Sequence, residues 1–272
     1  MAHVTGKVFP LPNKWSTRPL VALTIAAVLF AGVGVWFLVA ALLSALDVDW
    51  LRSIFLVFTG GAFVALGAIP ATANRVYQSD DPSTARILFT DNRLRILPDR
   101  AQQIVSLSLG VMFVVAAFIF AIGTWTSTLD LPISPGFAVF YPPFALGTAV
   151  LVMTMLFRVW RRGGSYGQLA LDPVSVSHES GELRTELHWA DIAAFSINRP
   201  RMGRTGSAAC MIYLQPADGT PPLAVTTNML STGCAPTYWL LKYYFEHPEH
   251  RDELGDQRAV DRLMSGRVVT RR

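Results

Sequence analysis

Residues 20–46 read LVALTIAAVLFAGVGVWFLVAALLSAL, a run without a single Asp, Glu, Lys, Arg or His. A helix over those positions is about 40 Å long, more than the ~30 Å of hydrocarbon in a bilayer. One charge at the centre of a span costs about 2.5–3.5 kcal/mol on insertion, while each Leu, Ile, Val or Phe contributes only about 0.3–0.6. An uninterrupted run of this length therefore reads as a membrane span. It is also too long for the core of a cleaved signal peptide, about 7–15 residues. Three further runs, 54–73, 104–126 and 137–157, likewise carry no charge and no histidine. Composition agrees: 15% of the chain is charged, against roughly 25% in a soluble domain. The expectation is four transmembrane helices in two hairpins, 20–73 and 104–157.

The charges between the runs predict an orientation. Residues 1–164 hold 12 Lys/Arg and 7 Asp/Glu, and residues 165–272 hold 11 and 12. The basic excess thus belongs to the membrane half, where a nucleic-acid binder would place it on a soluble face. Lys7, Lys14 and Arg18 precede the first run. Arg75, Arg86, Arg93, Arg95 and Arg100 follow the second, and Arg158, Arg161 and Arg162 follow the fourth. The connection 47–52 has only Arg52, and 127–136 has neither Lys nor Arg. The positive-inside rule then puts both termini in the cytoplasm. Trp15, Trp36, Trp50, Trp125 and Trp160 mostly fall near the ends of the runs, where an indole buries its body and keeps its N–H wet. The tail 1–19 and the loop 74–103, which carries a short β-hairpin, are read as cytoplasmic.

After Gly167 the hydrophobic period changes from that of a helix to two. The stretch 183–197, LRTELHWADIAAFSI, sets Leu183, Leu187 and Trp189 on one face and Arg184, Glu186 and His188 on the other, the pattern of a strand with one wet side. Asp191 stands where the strand bends, and Ala193, Phe195 and Ile197 are expected to continue the apolar face. Upstream, Leu169 and Leu171 share a face, Asp172-Pro173 turns, and Val174 and Val176 follow. Downstream, two apolar strands flank an Asp-Gly turn, and Pro236 and Pro248 bracket a helix. A polar helix is expected near 251–264. These segments suffice for a small, partly open barrel with the helix over its mouth.

The residues LALDPVSVSHESGELRTELHWADIAAF, the Trp189-Ala190-Asp191-Ile192 corner, and Tyr243-Tyr244 through Leu254 resemble the bacterial pleckstrin-homology-like (PH-like) modules attached to membrane helices in actinobacterial proteins. The resemblance covers roughly 166–256. It implies an α+β PH-like module over 165–250, followed by a polar helix and tail over 251–272, in a multi-pass protein of the bacterial inner membrane. It also implies a binding or scaffold role, with no catalytic residues to carry over. Eukaryotic relatives bind phosphoinositides through basic residues in the first strand–strand loop. Here that loop is Asp172-Pro173, with no basic residue.

Each pair of runs is followed by a β-like stretch, ARILFTDNRLRILPD and then GQLALDPVSVSHES, at a spacing of about 81–85 residues, with Asp91 and Asp172 at matching turns. This reads as a two-fold repeat; chance similarity between apolar hairpins is the rival. The first β-hairpin is expected to pack on or near the C-terminal module.

The spans carry no ionisable residue of the kind transport uses, and the only strong break, Pro142-Pro143, fits a kink or a late helix start. Small-xxx-small pairs, Ala27–Ala31, Gly61–Ala65 and Ser106–Gly110, allow close helix approach, either within the bundle or toward a protein partner or second copy. His247/His250 and His178/His188 lack the further ligands a metal needs, so neither a metal nor any other cofactor is expected. No nucleophile motif or phosphate loop is present, and no catalytic residue is assigned. Arg199, Arg201 and Arg204 are the candidate anion or lipid-headgroup site. Tyr238, Trp239 and Tyr243 are the candidate partner surface. The functional expectation is a non-enzymatic membrane protein whose cytoplasmic module binds a protein partner or anionic lipid headgroups. The alternatives are an accessory subunit of a transport or cell-envelope assembly, and a membrane enzyme with an unrecognised site.

Overall fold

The computed structural model describes residues 9–10, 18–79, 81–129, 134–161, 167–180, 183–197 and 210–269. The chain forms two compact units, one from Ala22–Thr72 and Ala101–Gly164, the other from Met1–Val21, Ala73–Arg100 and Ser165–Arg272.

The first unit is helical: α1 (Arg18–Leu46), α2 (Trp50–Gln78), α3 (Arg100–Trp125) and α4 (Pro135–Arg161). All four are long and apolar enough to cross a membrane. Their side chains point outward in large numbers, with Leu42 63% and Phe144 73% exposed, as a lipid-solvated surface requires. Several hydroxyls within the spans find backbone partners, whereas the buried Thr124 hydroxyl of α3 has none among the described residues. Thr59, Thr148 and Thr154 each donate to the carbonyl four residues back at 2.7–2.9 Å, and Ser53 donates to the Ala41 carbonyl at 2.9 Å. Such pairing spares a hydroxyl the cost of burial without a partner. Thr72 is hydrogen-bonded to Gln102. Pro142 and Pro143 lie inside α4, which begins at Pro135, so the helix runs through the proline pair and does not start after it.

The small residues serve packing within this bundle. A Cβ at Gly67 would stand 2.8 Å from the Ala27 carbonyl and 3.1 Å from the Ala31 amide. One at Gly61 would meet the Met112 sulfur at 2.6 Å, and one at Gly110 would meet Leu156 at 2.9 Å. Of the predicted small-residue faces, Ala27, Ala31, Gly61 and Gly110 are thus engaged by neighbouring helices. Ala65 is buried and Ser106 is exposed.

The second unit holds two antiparallel sheets. The larger has strands in the order β1 (Ile87–Thr90), β2 (Arg93–Ile96), β3 (Leu169–Leu171), β4 (Ser175–Ser180) and β5 (Leu183–His188); the smaller has β6 (Ile192–Ser196), β7 (Met211–Pro216) and β8 (Leu223–Thr226). The order helix–helix–strand–strand occurs twice. The first hairpin not only packs on the later strands but shares their sheet: Leu94 pairs with Leu171 and Ile96 with Leu169. Period-two burial explains the pairing. Leu94, Ile96, Leu169 and Leu171 are all fully buried, while Arg93 and Arg95 face outward from the core. The matching aspartates turn the chain differently. Asp91 and Asn92 both have positive φ, 56° and 58°, as a two-residue hairpin turn demands. Asp172 instead accepts hydrogen bonds from the Val174 and Ser175 amides, at 2.8 and 2.5 Å.

The sheets are followed by α5 (Cys234–Glu246), a 3₁₀ segment (Pro248–Gly255) and α6 (Gln257–Met264). Two boundaries differ from the sequence reading. Helix α5 starts at Cys234, so Pro236 falls within its first turn. The residues expected to form one polar helix divide into the 3₁₀ segment and α6, whose N-cap Asp256 accepts from the Arg258 amide. Leu254, Ala259, Leu263 and Val268 are buried in the same core as both sheets, so the C-terminal segment completes the module and is not a separate tail. Burying a side chain of that size contributes about 1.5–3 kcal/mol.

Candidate interaction surface

The 183–197 stretch builds the corner of the module. Strand β5 ends at His188, a 3₁₀ turn occupies Trp189–Asp191, and β6 begins the second sheet at Ile192. Trp189 is 3% exposed. Its indole N–H donates to the Asp172 carbonyl at 2.8 Å, and the Arg251 guanidinium lies 5.0 Å from its ring centre. Beyond the corner the facing shifts. Ile192 is buried and Ala193 exposed, because a register irregularity lies between Ile192 and Ala194. The extra residue moves the apolar face by one position up to Phe195.

Residues 97–99 and 229–231 tie the segment after β2 to the one after β8. Pro98 and Leu230 form an isolated antiparallel bridge. The Ser231 amide donates to the Leu97 carbonyl at 3.0 Å, and the Asp99 amide to the Met229 carbonyl at 2.8 Å. Next along the chain, Gly233 takes φ +85°, and a Cβ there would stand 2.8 Å from the Ser79 carbonyl. Only glycine satisfies both the turn and the approach. Arg75 grips the Asp99 carboxylate with both contacts at 2.8 Å.

Helix α5 presents two aromatic clusters. Tyr238 packs at a tilt against Phe195 (5.5 Å between centroids) and edge-on to Trp239 (5.2 Å). The Lys242 ammonium lies 4.9 Å from the Trp239 ring. Burial, with the Glu246 charge second, raises the Tyr238 phenol above its ordinary range. Both rings are half-buried, so a partner could reach them. Tyr243 belongs to the other cluster and is not a surface residue. It is buried, with His247 4.6 Å, His250 5.8 Å and the Arg262 guanidinium 4.9 Å from its ring. The i,i+5 step from Tyr238 to Tyr243 carries the second ring around the helix. The candidate anion site Arg199, Arg201 and Arg204 lies outside the described residues.

Sequence reasoning missed two buried polar groups, His178 and Glu253, whereas the burial of Cys210 was expected from its place at the start of an apolar strand. His178 in β4 is 4% exposed. Its Nδ1 lies 3.2 Å from the Gln168 carbonyl, and its Nε2 accepts from the Thr226 amide of β8 at 3.4 Å, linking the sheets. Desolvation holds its pKa below the ordinary value. Glu253 is clamped by Arg262 at 2.5 and 2.6 Å and accepts from the Tyr244 hydroxyl at 3.3 Å. That ion pair holds the Glu253 carboxyl low and the Arg262 guanidinium high. Cys210 and Cys234 are free thiols in a small buried cluster with Tyr77. Burial pushes the Cys210 thiol far up, which leaves it a poor nucleophile. A polar residue inside a strand or helix has no sequence mark of burial, so neither His178 nor Glu253 could be read in advance.

Among the described residues no group of three or more His, Cys, Asp or Glu side chains converges on a point. Comparison of the chain with known protein families, curated proteins and solved structures finds no match.

Proposed function

We propose that this chain is a non-enzymatic protein of the bacterial inner membrane, with both termini cytoplasmic, and that its PH-like module recruits a protein partner through α5. The half-exposed Tyr238–Trp239–Lys242 face carries this reading. It combines two large rings with a fixed cation, the composition favoured at interaction hot spots, on a rigid helix closing a two-sheet core. Two sheets meeting at a sharp corner, followed by a helix, support the PH-like assignment. The membrane assignment draws on the connectivity. Phe9 precedes α1, β1 and β2 lie between α2 and α3, and the remaining strands follow α4, yet all contribute to one core. Those three segments must share one side of the bilayer, and the arginine distribution marks that side as the cytoplasm.

A photo-crosslinking residue in place of Glu246, beside Lys242 at 3.9 Å, tests the reading in intact cells. A discrete protein adduct, lost on Trp239→Ser, is the expected result. Adducts to lipid alone, or none at all, would replace partner recruitment with headgroup binding or with a purely structural module.

A further inference from the structure

The sequence around Phe9 reads Val8-Phe9-Pro10-Leu11-Pro12. Phe9 is 1% exposed and lies in the same buried cluster as Leu240, Leu241 and Tyr244 of α5 and the inner faces of both sheets. Pro10 stays outside, and its carbonyl accepts the indole N–H of Trp239 at 2.7 Å. The dipeptide joins neither a helix nor a strand. It inserts one ring into a wall built by later residues, and its proline carbonyl is held by a directional hydrogen bond. Proline fits that task. It presets its own φ, biases the residue before it toward extended backbone, and brings no N–H needing a partner. An aromatic anchor followed by a proline whose carbonyl is read by a tryptophan makes a peptide-recognition geometry.

We propose that the α5 groove is a recognition site for an aromatic–proline segment of a partner protein, and that the chain's own Phe9–Pro10 occupies it at rest. The inference rests on the recruitment reading and names the partner's chemistry. The occupant itself carries the argument: it shows which side chain the pocket takes and which backbone atom Trp239 reads. Phe9 is only nine residues from the start of α1. A tether that short keeps the segment near the groove at an effective concentration on the order of millimolar. A partner segment therefore competes with a tethered ligand, and entry depends on withdrawal of the strap.

The test uses the full chain in mild detergent and a fluorescein-labelled peptide of residues 5–14. The Phe9→Ser chain should bind the peptide saturably. The wild-type chain should bind it about tenfold or more weakly, as competition with a millimolar cis ligand requires. The same peptide carrying Phe9→Ser should not bind, and adding Trp239→Phe to the Phe9→Ser chain should weaken binding severalfold. A second form guards against misfolding. A protease site inserted after Pro12 lets the strap be cut once the chain has folded, and peptide binding should appear only after cleavage. Equal binding to wild-type and Phe9→Ser chains, absence of saturable binding after cleavage, or indifference to the peptide's Phe would overturn the proposal. So would dimerisation of the wild type that Phe9→Ser abolishes, since the groove would then serve exchange between copies. A protein adduct at position 246 with no peptide binding would sink this inference and leave recruitment standing. Peptide binding with no adduct in cells would do the reverse.

Discussion

Trp189 and His178 each join parts of the core that the chain brings together late, by opposite chemistry. The tryptophan ties the β5–β6 corner to the β3–β4 turn through a hydrogen bond that pH does not touch. The histidine ties β4 to β8 through a ring nitrogen that must stay unprotonated to accept. Because burial lowers the folded-state pKa of His178 below 6.5, the unfolded chain takes up the proton first as pH falls. The histidine's contribution is therefore fully present above about pH 6.5 and is lost as pH drops through the window between that value and the lower folded one. Thermal unfolding at pH 7.5 and 5.5 should show a loss of stability for the wild type that His178→Gln reduces. An equal loss in both chains would remove His178 as its source.

Among the elements, the C-terminal segment combines four buried apolar side chains with one buried ion pair. The Glu253 side chain is 8% exposed and its Arg262 partner 21%. Arg262→Ala leaves the buried carboxylate with only the Tyr244 hydroxyl and His250 beside it, which costs about 3 kcal/mol, the low end for a broken buried pair, so chemical denaturation should show a loss of stability of that size. A shift below 1 kcal/mol would mean that the 3₁₀ segment and α6 hold by packing alone. The same segment shows the limit of reading the sequence. Residues 87–96 and 183–191 were legible because period-two alternation and turn residues act over a few positions. Segment 251–269 looked polar because its buried positions, Leu254, Ala259, Leu263 and Val268, are spread among charges that pair with one another, as Arg258 does with Asp252 and Asp256. The shifted face at Ala193 escaped notice because a bulge is a property of two strands together. On α5, Tyr238 and Trp239 are half-buried. Tyr243 is buried, and Phe9 gave no local signal of its distant pocket.

At the scale of the whole molecule, β2 and β3 are paired neighbours although α3 and α4 lie between them in sequence. Antiparallel partners such as Ile96 and Leu169 need only a short connection. A chain of residues 73–100 joined by a Gly/Ser linker to 165–269 should therefore be soluble without detergent and unfold in one cooperative transition. Aggregation of that chain in plain buffer would show that the sheet depends on the spans. The intact protein faces a harsher arrangement, because the first hairpin is synthesised long before the strand that completes it. Until α3, α4 and β3 have all been made, Leu94 and Ile96 lack the strand that hides them. The larger sheet can therefore close only after both intervening helices exist.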